Sequence, residues 1–465
     1  MIVVREFAGR RVAVLGLART GRAAARALVA GGADIVAWDD NAAVREAAAG
    51  EFRLADLAAA NWQRIAALVL SPGIPHRFPK PHPAVERARA AGAEIVGDIE
   101  LLGRAQPQAR FVGITGTNGK STTTALVGHI LAAAGKRAEL GGNLGTPALA
   151  LAPLGPDEIY VLECSSFQLE LMTTLAFDVA VLLNITPDHL DRHGGMAGYI
   201  AAKRRIFADR RNDATAVIGI DDAISRDIAS TLHRKDWARV VPVSVREAAP
   251  GGVYVERDGR LIDATGTTPV LVVSLAEAER LPGRHNWQNA AAAYATARAL
   301  GVPAAAAAQA IRSFPGLAHR QELVATLGGV GFVNDSKATN ADAADKALAC
   351  YQAVYWIAGG LPKAGGITSL KAHFGRLRHV FLIGAATEEF AATLADTVPF
   401  TCCGDLATAV ARAAEAARRD AVPGAVVLLS PACASYDQFA DFEARGDAFR
   451  ALVRKLAAAR LEPPR

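Results

Sequence analysis

The residues Gly116, Thr117, Asn118, Gly119, Lys120, Ser121 and Thr122 stand in the run FVGITGTNGKSTTTALVGHILAAAG, an apolar stretch, then a glycine turn, then an alanine- and leucine-rich stretch. That order reads as strand, loop and helix, and its chemistry is phosphate binding. Backbone N–H groups from Gly116 to Gly119 can wrap phosphate oxygens, the Lys120 ammonium can reach the β- and γ-phosphates, and the Ser121 hydroxyl can hold Mg2+. The strict spacing of such loops wants glycine at position 114, where this chain has Ile114, so the loop is a variant; an incidental Gly-Lys-Ser turn is the alternative. Downstream, EIYVLECSSFQLE puts Glu163 at the end of an apolar strand, and DVAVLLNITPDHLDRHGG puts Asp188 and His189 just past another. Ligands gather at strand ends at the mouth of a parallel sheet, so Glu163 and His189 are candidate ligands for Mg2+ or Mn2+ opposite the phosphate loop. A helix cap and an ordinary surface histidine are the alternatives for these two.

A second constellation lies near the start of the chain. VAVLGLARTGRAAARAL followed by IVAWDDN places Gly16, Arg19, Thr20 and Gly21 between a strand and a helix, and Asp39 at the end of the next strand. This arrangement aims an anion at a helix N-terminus and a carboxylate at a ribose or base edge, which suits a nucleotide or sugar nucleotide. The glycine fingerprint is interrupted by Ala18, so glycines serving only tight helix packing remain the competing reading. SPGIP, with Ser71 and Gly73, follows the apolar LVL and either adds a second backbone loop to that site or is a plain turn.

The elements that must position these residues follow from pattern and length. At 465 residues the chain exceeds what one hydrophobic core serves, and 51% hydrophobic with 21% charged residues is an ordinary globular composition. Three times a buried strand, a glycine-bearing turn and an alanine-rich helix begin afresh, at 12–17, at 111–115 and near 331–335, the pattern of parallel α/β units. The polar or proline-bearing stretches GRAQPQAR and RSFPGLAHRQE precede the second and third, which sets boundaries near 105 and 318 and domains at 1–105, 106–318 and 319–465. Alanine runs such as 304–308 read as helix-forming bias. Five cysteines, an odd number without paired CxxC spacing, predict reduced thiols, a cytoplasmic protein and no structural zinc. The apolar run near the N-terminus is too short for a signal segment or membrane span, so no membrane partner is expected. A net charge of +5 spread over dispersed Lys and Arg, with 6% aromatics, favours small anionic substrates over nucleic acid.

Taken in order, TGTNGKST, LECSSFQLE, NITPDHLDRH, RHNWQNAAAA, LAHRQE, NDSKATN and LLSPACASYDQF resemble the ATP-dependent Mur ligases of peptidoglycan synthesis, relatives of folylpolyglutamate synthase. The last two resemble the member that joins D-glutamate to UDP-N-acetylmuramoyl-L-alanine. The resemblance implies an α/β protein of three domains: a Rossmann-like N-terminal domain for the UDP moiety, a central P-loop ATPase domain, and a Rossmann-like C-terminal domain that binds glutamate and closes on ATP. On matching positions it implies that Gly116 to Thr122 bind the ATP phosphates, and that Asn286, Asn289, His319, Arg320 and Asp335 contact the nucleotide. Asn143 would face the muramoyl substrate beside Gly16, Arg19, Thr20, Asp39, Ser71 and Gly73. Ser121, Glu163, His189 and Lys203, the last as a CO2-derived carbamate, would hold Mg2+. Lys337, Thr339, Lys363, Ser435, Tyr436 and Phe442 would form the glutamate pocket. Catalytic roles would fall to Lys120, Lys203, His189 and Lys337 in a cytoplasmic monomer. Pro187 stands where the family often has an acidic residue.

Three other readings share parts of this pattern. A nicotinamide-dependent dehydrogenase would use the first unit and leave the phosphate loop idle; a mechanical or regulatory NTPase would hydrolyse ATP without an amino-acid substrate; folylpolyglutamate synthase would lack the first domain and SPACAS.

Overall fold

The computed structural model describes residues 1–143, 145–208, 210–234, 237, 239–278, 280–363 and 365–459. Three sheets carry the chain. The first contains β1 (Arg11–Leu15), β2 (Asp34–Trp38), β3 (Ile65–Leu70) and β4 (Glu94–Val96) in the order β2-β1-β3-β4, all parallel. The second contains β5 (Arg110–Thr115), β6 (Ala138–Gly142), β7 (Ile159–Glu163), β8 (Phe177–Leu182), β9 (Arg210–Gly219), β10 (Arg239–Ser244), β11 (Val253–Val255), β12 (Arg260–Asp263) and β13 (Val270–Ser274). Its order is β13-β12-β11-β10-β9-β8-β5-β7-β6. The third contains β14 (Glu322–Leu327), β15 (Val330–Asn334), β16 (Ala353–Gly359), β17 (Leu377–Ile383), β18 (Phe400–Gly404) and β19 (Ala425–Leu429), ordered β14-β15-β19-β16-β17-β18.

The three strand starts expected from the sequence are β1, β5 and β15. Two antiparallel additions were not expected: the β11–β12–β13 meander on the second sheet, and β14, which pairs with β15 as a hairpin and starts at the last residue of the stretch read as linker. The meander strands are short, and β13 leaves Val270 and Leu271 exposed, so neither carries the buried apolar run that marks the central parallel strands. The central strands do carry it: β7 and β16 are buried at every position.

By internal contacts the chain forms two compact units, one of Met1–Glu277 with Asn286–Ser313, the other of Ala278–His285 with Phe314–Arg465. The first unit holds both the first and second sheets. They are joined through Glu100 on the helix Asp98–Ala105: its fully buried carboxylate accepts from the backbone N–H groups of Thr173, Thr174 and Leu175 at 2.9–3.1 Å, and from Arg104 Nε at 2.9 Å. Though burial opposes it, this cage of donors holds Glu100 down to about 2. Among the described residues no helix is long and apolar enough to cross a membrane.

Candidate active site

The phosphate loop leaves β5 between β7 and β8, its two neighbours in the sheet. Register pairs Ile114 with Glu163 on β7 and Thr115 with Leu182 on β8, so the carboxyl ends of three strands arrive level. Gly116 and Gly119 take φ of 153° and 88°, a region β-carbons disfavour, and the helix Lys120–Ala133 starts directly after. Gly119 has a second constraint: a Cβ there would lie 2.2 Å from Asn289 Oδ1. Asn289 therefore packs on the loop, and its Nδ2 donates to Asn286 Oδ1 at 3.2 Å, so two of the expected nucleotide contacts come together on the helix Arg284–Ala299. Alanines 290–293 of that helix are buried, which lets its backbone approach the sheet closely.

Lys120 Nζ donates to the carbonyls of Gly116 and Thr117, both at 2.9 Å. Ser121 and Thr122 are buried at the helix start. One expectation needs correcting. The N–H groups of Thr117 and Asn118, read as part of the phosphate wrap, donate instead to Asn184 O and Asn184 Oδ1, each at 2.9 Å. Asn184 lies two residues past β8, and a partner that remote in sequence is invisible to a reading of the loop alone.

Glu163 ends β7, is almost wholly buried, and accepts from Asn143 Nδ2 at 2.8 Å through Oε1, while Oε2 is buried with no hydrogen-bond partner. A buried carboxylate oxygen without a partner is costly and fits a hard cation. Lys203, on the helix Met196–Arg204, is buried too; its Nζ donates to Gly116 O at 2.8 Å and lies 4.7 Å from the centre of the Tyr199 ring. Burial, and then the Lys120 charge, push its ammonium well below the ordinary lysine range. Tyr199 OH in turn meets Thr117 Oγ1 at 3.0 Å. His189 is half-exposed at φ 51°, 3.5 Å from Asp188 Oδ2, and burial lowers its pKa. Its ring tilts on Phe167, whose other neighbours are His193 and the Arg192 guanidinium. Among the described residues no three His, Cys, Asp or Glu side chains cluster as a metal site.

All seven residues expected at the sugar nucleotide, Gly16, Arg19, Thr20, Asp39, Ser71, Gly73 and Asn143, line one cavity of about 440 Å3. The first two glycines differ in their surroundings. Gly16 lines the cavity at φ 91°, while Gly21 serves packing, since a Cβ there would stand 1.7 Å from Gly16 O. Ser71 Oγ donates to Gly16 O at 3.0 Å, which draws SPGIP to the glycine turn. Asp39 braces the wall by accepting from Leu17 N at 2.7 Å and Asn41 N at 2.9 Å. Arg19 donates to Gly145 O, and Arg192 Nη1 to Gly73 O at 2.7 Å. Asp40 and Arg192, neither picked from the sequence, belong to this neighbourhood; Asp40 lines the same cavity.

The second unit gathers the remaining candidates. Asp335 is buried, accepts from Ser430 Oγ at 2.8 Å and Gln321 N at 3.1 Å, and is pushed up to about 7 by burial. His319 Nδ1 lies 3.1 Å from Asn334 Nδ2, its ring edge-on to Phe442. Lys337 Nζ sits 3.8 Å over the Phe442 ring, and its backbone N donates to His319 O at 3.0 Å. Arg320 and Thr339 flank this cluster in the chain and are partly buried. A bridge between Leu361 and Ala434 brings the loops bearing Lys363 and Ser435 side by side; Lys363 is exposed, Ser435 buried, and Tyr436 is 71% exposed. Beneath them Arg445, missed from the sequence, is 1% exposed and donates to Ser336 O at 2.9 Å and Cys433 O at 3.1 Å, tying the DSKATN and SPACAS stretches together.

Residues 114–297 match the family model described as the Mur ligase middle domain. Over 463 residues the chain is 55% identical to the UDP-N-acetylmuramoylalanine–D-glutamate ligase of Rhodospirillum rubrum, covering 98% of this chain and 97% of that protein. The chain belongs to the Mur ligase family. A second relative, the UDP-N-acetylmuramoylalanine–D-glutamate ligase of Phenylobacterium zucineum, is 56% identical over 464 residues and 98% of both chains. Solved Mur ligase structures share the fold at low identity. The UDP-N-acetylmuramate-alanine ligase of Thermotoga maritima aligns with a TM-score of 0.57 at 17% identity over 97% of this chain and 99% of that one. A pseudomurein peptide ligase of Methanothermus fervidus aligns at 0.56 and 17% over 96% and 100%. For a Mur ligase, the finding that matters at the site is that Asn143 both lines the cavity and holds Glu163.

Proposed function

We propose that this Mur ligase uses ATP to join D-glutamate to UDP-N-acetylmuramoyl-L-alanine through an acyl phosphate. The observation that carries the reading is the Asn143–Glu163 hydrogen bond of 2.8 Å, which sets the wall of the sugar-nucleotide cavity against the acid beside the phosphate loop. Relatives more than half identical along the whole chain carry the name of that reaction.

A carboxylate is a poor acyl donor because its leaving oxygen is poor and its charge repels nucleophiles. In the reaction the alanyl carboxylate oxygen attacks the γ-phosphorus, and the bond to the ADP oxygen breaks. The glutamate amine then attacks the acyl carbon, the bond to phosphate breaks, and the amine proton passes to a base that the geometry does not single out. Lys120 opposes the charge that builds during phosphoryl transfer, with the loop and Ser121 fixing the phosphates. Mg2+ or Mn2+, when bound, would neutralise phosphate charge. Ser121, His189 and the unpartnered oxygen of Glu163 would hold it, with Lys203 as the carbamate supplying a second anion. Support for the carbamate is the burial of Lys203 next to Lys120, where a second ammonium is disfavoured. A neutral amine adds to CO2 and releases one proton.

In the same reading, 1–105 holds the UDP moiety, 106–318 holds ATP, and 319–465 takes glutamate. Asn286, Asn289, His319, Arg320 and Asp335 contact the nucleotide; Lys337, Thr339, Lys363, Ser435, Tyr436 and Phe442 receive glutamate. In this reading the ligase works as a monomer, in the cytoplasm where ATP and UDP-linked precursors occur. The test is phosphate release from ATP with UDP-N-acetylmuramoyl-L-alanine present and a panel of amino acids varied. D-Glutamate alone should drive release; release with L-glutamate or a diamino acid instead, or with no amino acid, overturns the assignment.

A further inference from the structure

Asn184, which opens the NITPDH stretch, carries no role in the proposed reaction. Because Thr115 pairs with Leu182, residue 184 comes level with residue 117, directly alongside the phosphate loop. Its backbone oxygen accepts from Thr117 N at 2.9 Å. Its side chain does something different: Oδ1 accepts from Asn118 N at 2.9 Å while Nδ2 donates to Asn118 O at 3.2 Å. One primary amide thus meets both backbone polar groups of a single loop residue, which fixes the rotation of the peptide planes on either side of it. Behind the amide, Gln288 Oε1 lies 3.5 Å from Nδ2, and Gln288 Nε2 donates to Asp221 Oδ2 at 2.9 Å. Asp221 is itself anchored by Ser244 Oγ at 2.7 Å and Val245 N at 3.0 Å. The brace therefore runs from the loop into β10.

A loop of glycines has many conformations, and only those that aim its donors at one point bind a polyphosphate; holding the loop in that subset lowers the cost of ordering it on binding. We infer that Asn184 is a positioning residue for ATP, which clamps the Asn118 peptide and so presets the phosphate loop. The inference rests on the reading of Gly116–Thr122 as the ATP phosphate site. It is separable from the fold, because the backbone contact from Asn184 O to Thr117 survives any substitution of the side chain.

The experiment measures KM for ATP, UDP-N-acetylmuramoyl-L-alanine and D-glutamate, together with Tm, in Asn184→Ala, with Asn184→Ser as the milder variant should the alanine form fold poorly. Loss of the clamp should raise KM for ATP about tenfold or more, leaving the other two within about twofold. Binding of ATP by equilibrium dialysis should weaken by the same factor. An unchanged KM for ATP, or an equal rise in all three, overturns the inference. Lys120→Ala, run in parallel, keeps the two claims apart. If it is inactive while Asn184→Ala retains its ATP KM, only the positioning role falls; if Lys120→Ala turns over normally, the phosphate-loop reading falls with it.

Discussion

Lys203 and Lys363 are chemically the same residue in opposite surroundings, one buried against Gly116 O and the other exposed on a loop beside Ser435. Their predicted behaviour differs accordingly. Lys203→Ala removes the amine that would carry the carbamate, so turnover should fall by about 10^2-fold or more, and short-chain carboxylic acids should restore part of it by occupying the vacated carboxylate position. An active alanine variant, with no added mass of a carbamate on the parent enzyme at neutral pH, would falsify the modified-lysine role. In the proposed glutamate pocket Lys363 would pair a carboxylate that neutral amino acids lack. Lys363→Ala should raise KM for D-glutamate by about tenfold to a hundredfold with KM for ATP within about twofold, and the reverse order would remove it from the pocket. At this scale the sequence was most informative where chemistry is local: Gly-Lys-Ser after a strand, and a carboxylate at a strand end, are each complete within a few residues. Asn184, Arg192 and Arg445 escaped because their partners stand 66, 119 and 109 residues away.

Among the elements, the first helix is set by a single close approach. A methyl on Gly21 would meet Gly16 O at 1.7 Å and Ser71 Oγ at 2.9 Å. Gly21→Ala must push the helix Arg19–Ala30 off the glycine turn, and overpacking of this kind costs about 1–3 kcal/mol. The cavity wall formed by Gly16, Arg19 and Ser71 shifts with it, so weaker binding of UDP-N-acetylmuramoyl-L-alanine should accompany a lower Tm; calorimetric titration showing parent affinity would mean the helix does not set that wall. The parallel strand–turn–helix units were legible here because buried parallel strands are continuous apolar runs. The hairpin β14–β15 was not, since Glu322–Leu327 is only partly buried and lies next to a proline- and glycine-bearing stretch that has the chemistry of a connection.

For the molecule as a whole, His76, His285 and Asp335 each tilt stability between pH 4 and 7. His76 and His285 are each pushed down to about 4, mainly by burial, so the fold favours their neutral forms. Their contribution is complete above the ordinary histidine value of 6.5 and is lost as pH falls towards 4, because the unfolded chain takes up those protons first. Asp335 has the opposite sign. Raised to about 7 from 3.8, it contributes fully below about 4 and its contribution is lost as pH rises to 7. The rise in Tm that the two histidines give between pH 4 and 7 is opposed by Asp335, and by Asp98, whose carboxyl pKa burial also raises. Asp335→Asn should steepen that rise, and a Tm profile as shallow as the parent's would show that Asp335 ionises normally in the fold.

The donor cage around Glu100 bears on how this ligase can be taken apart. Modular enzymes invite chimeras, and the domain boundary proposed near residue 105 is where such a cut would be made. Here the acid lies on one side of that seam and the Thr173, Thr174 and Leu175 amides on the other. A transplant cut there would leave the buried carboxylate with Arg104 but without its backbone amide donors. The exchangeable piece is therefore 1–105 together with the turn at 173–175 that receives it, and swaps that respect this pairing are the ones expected to give expressible hybrids.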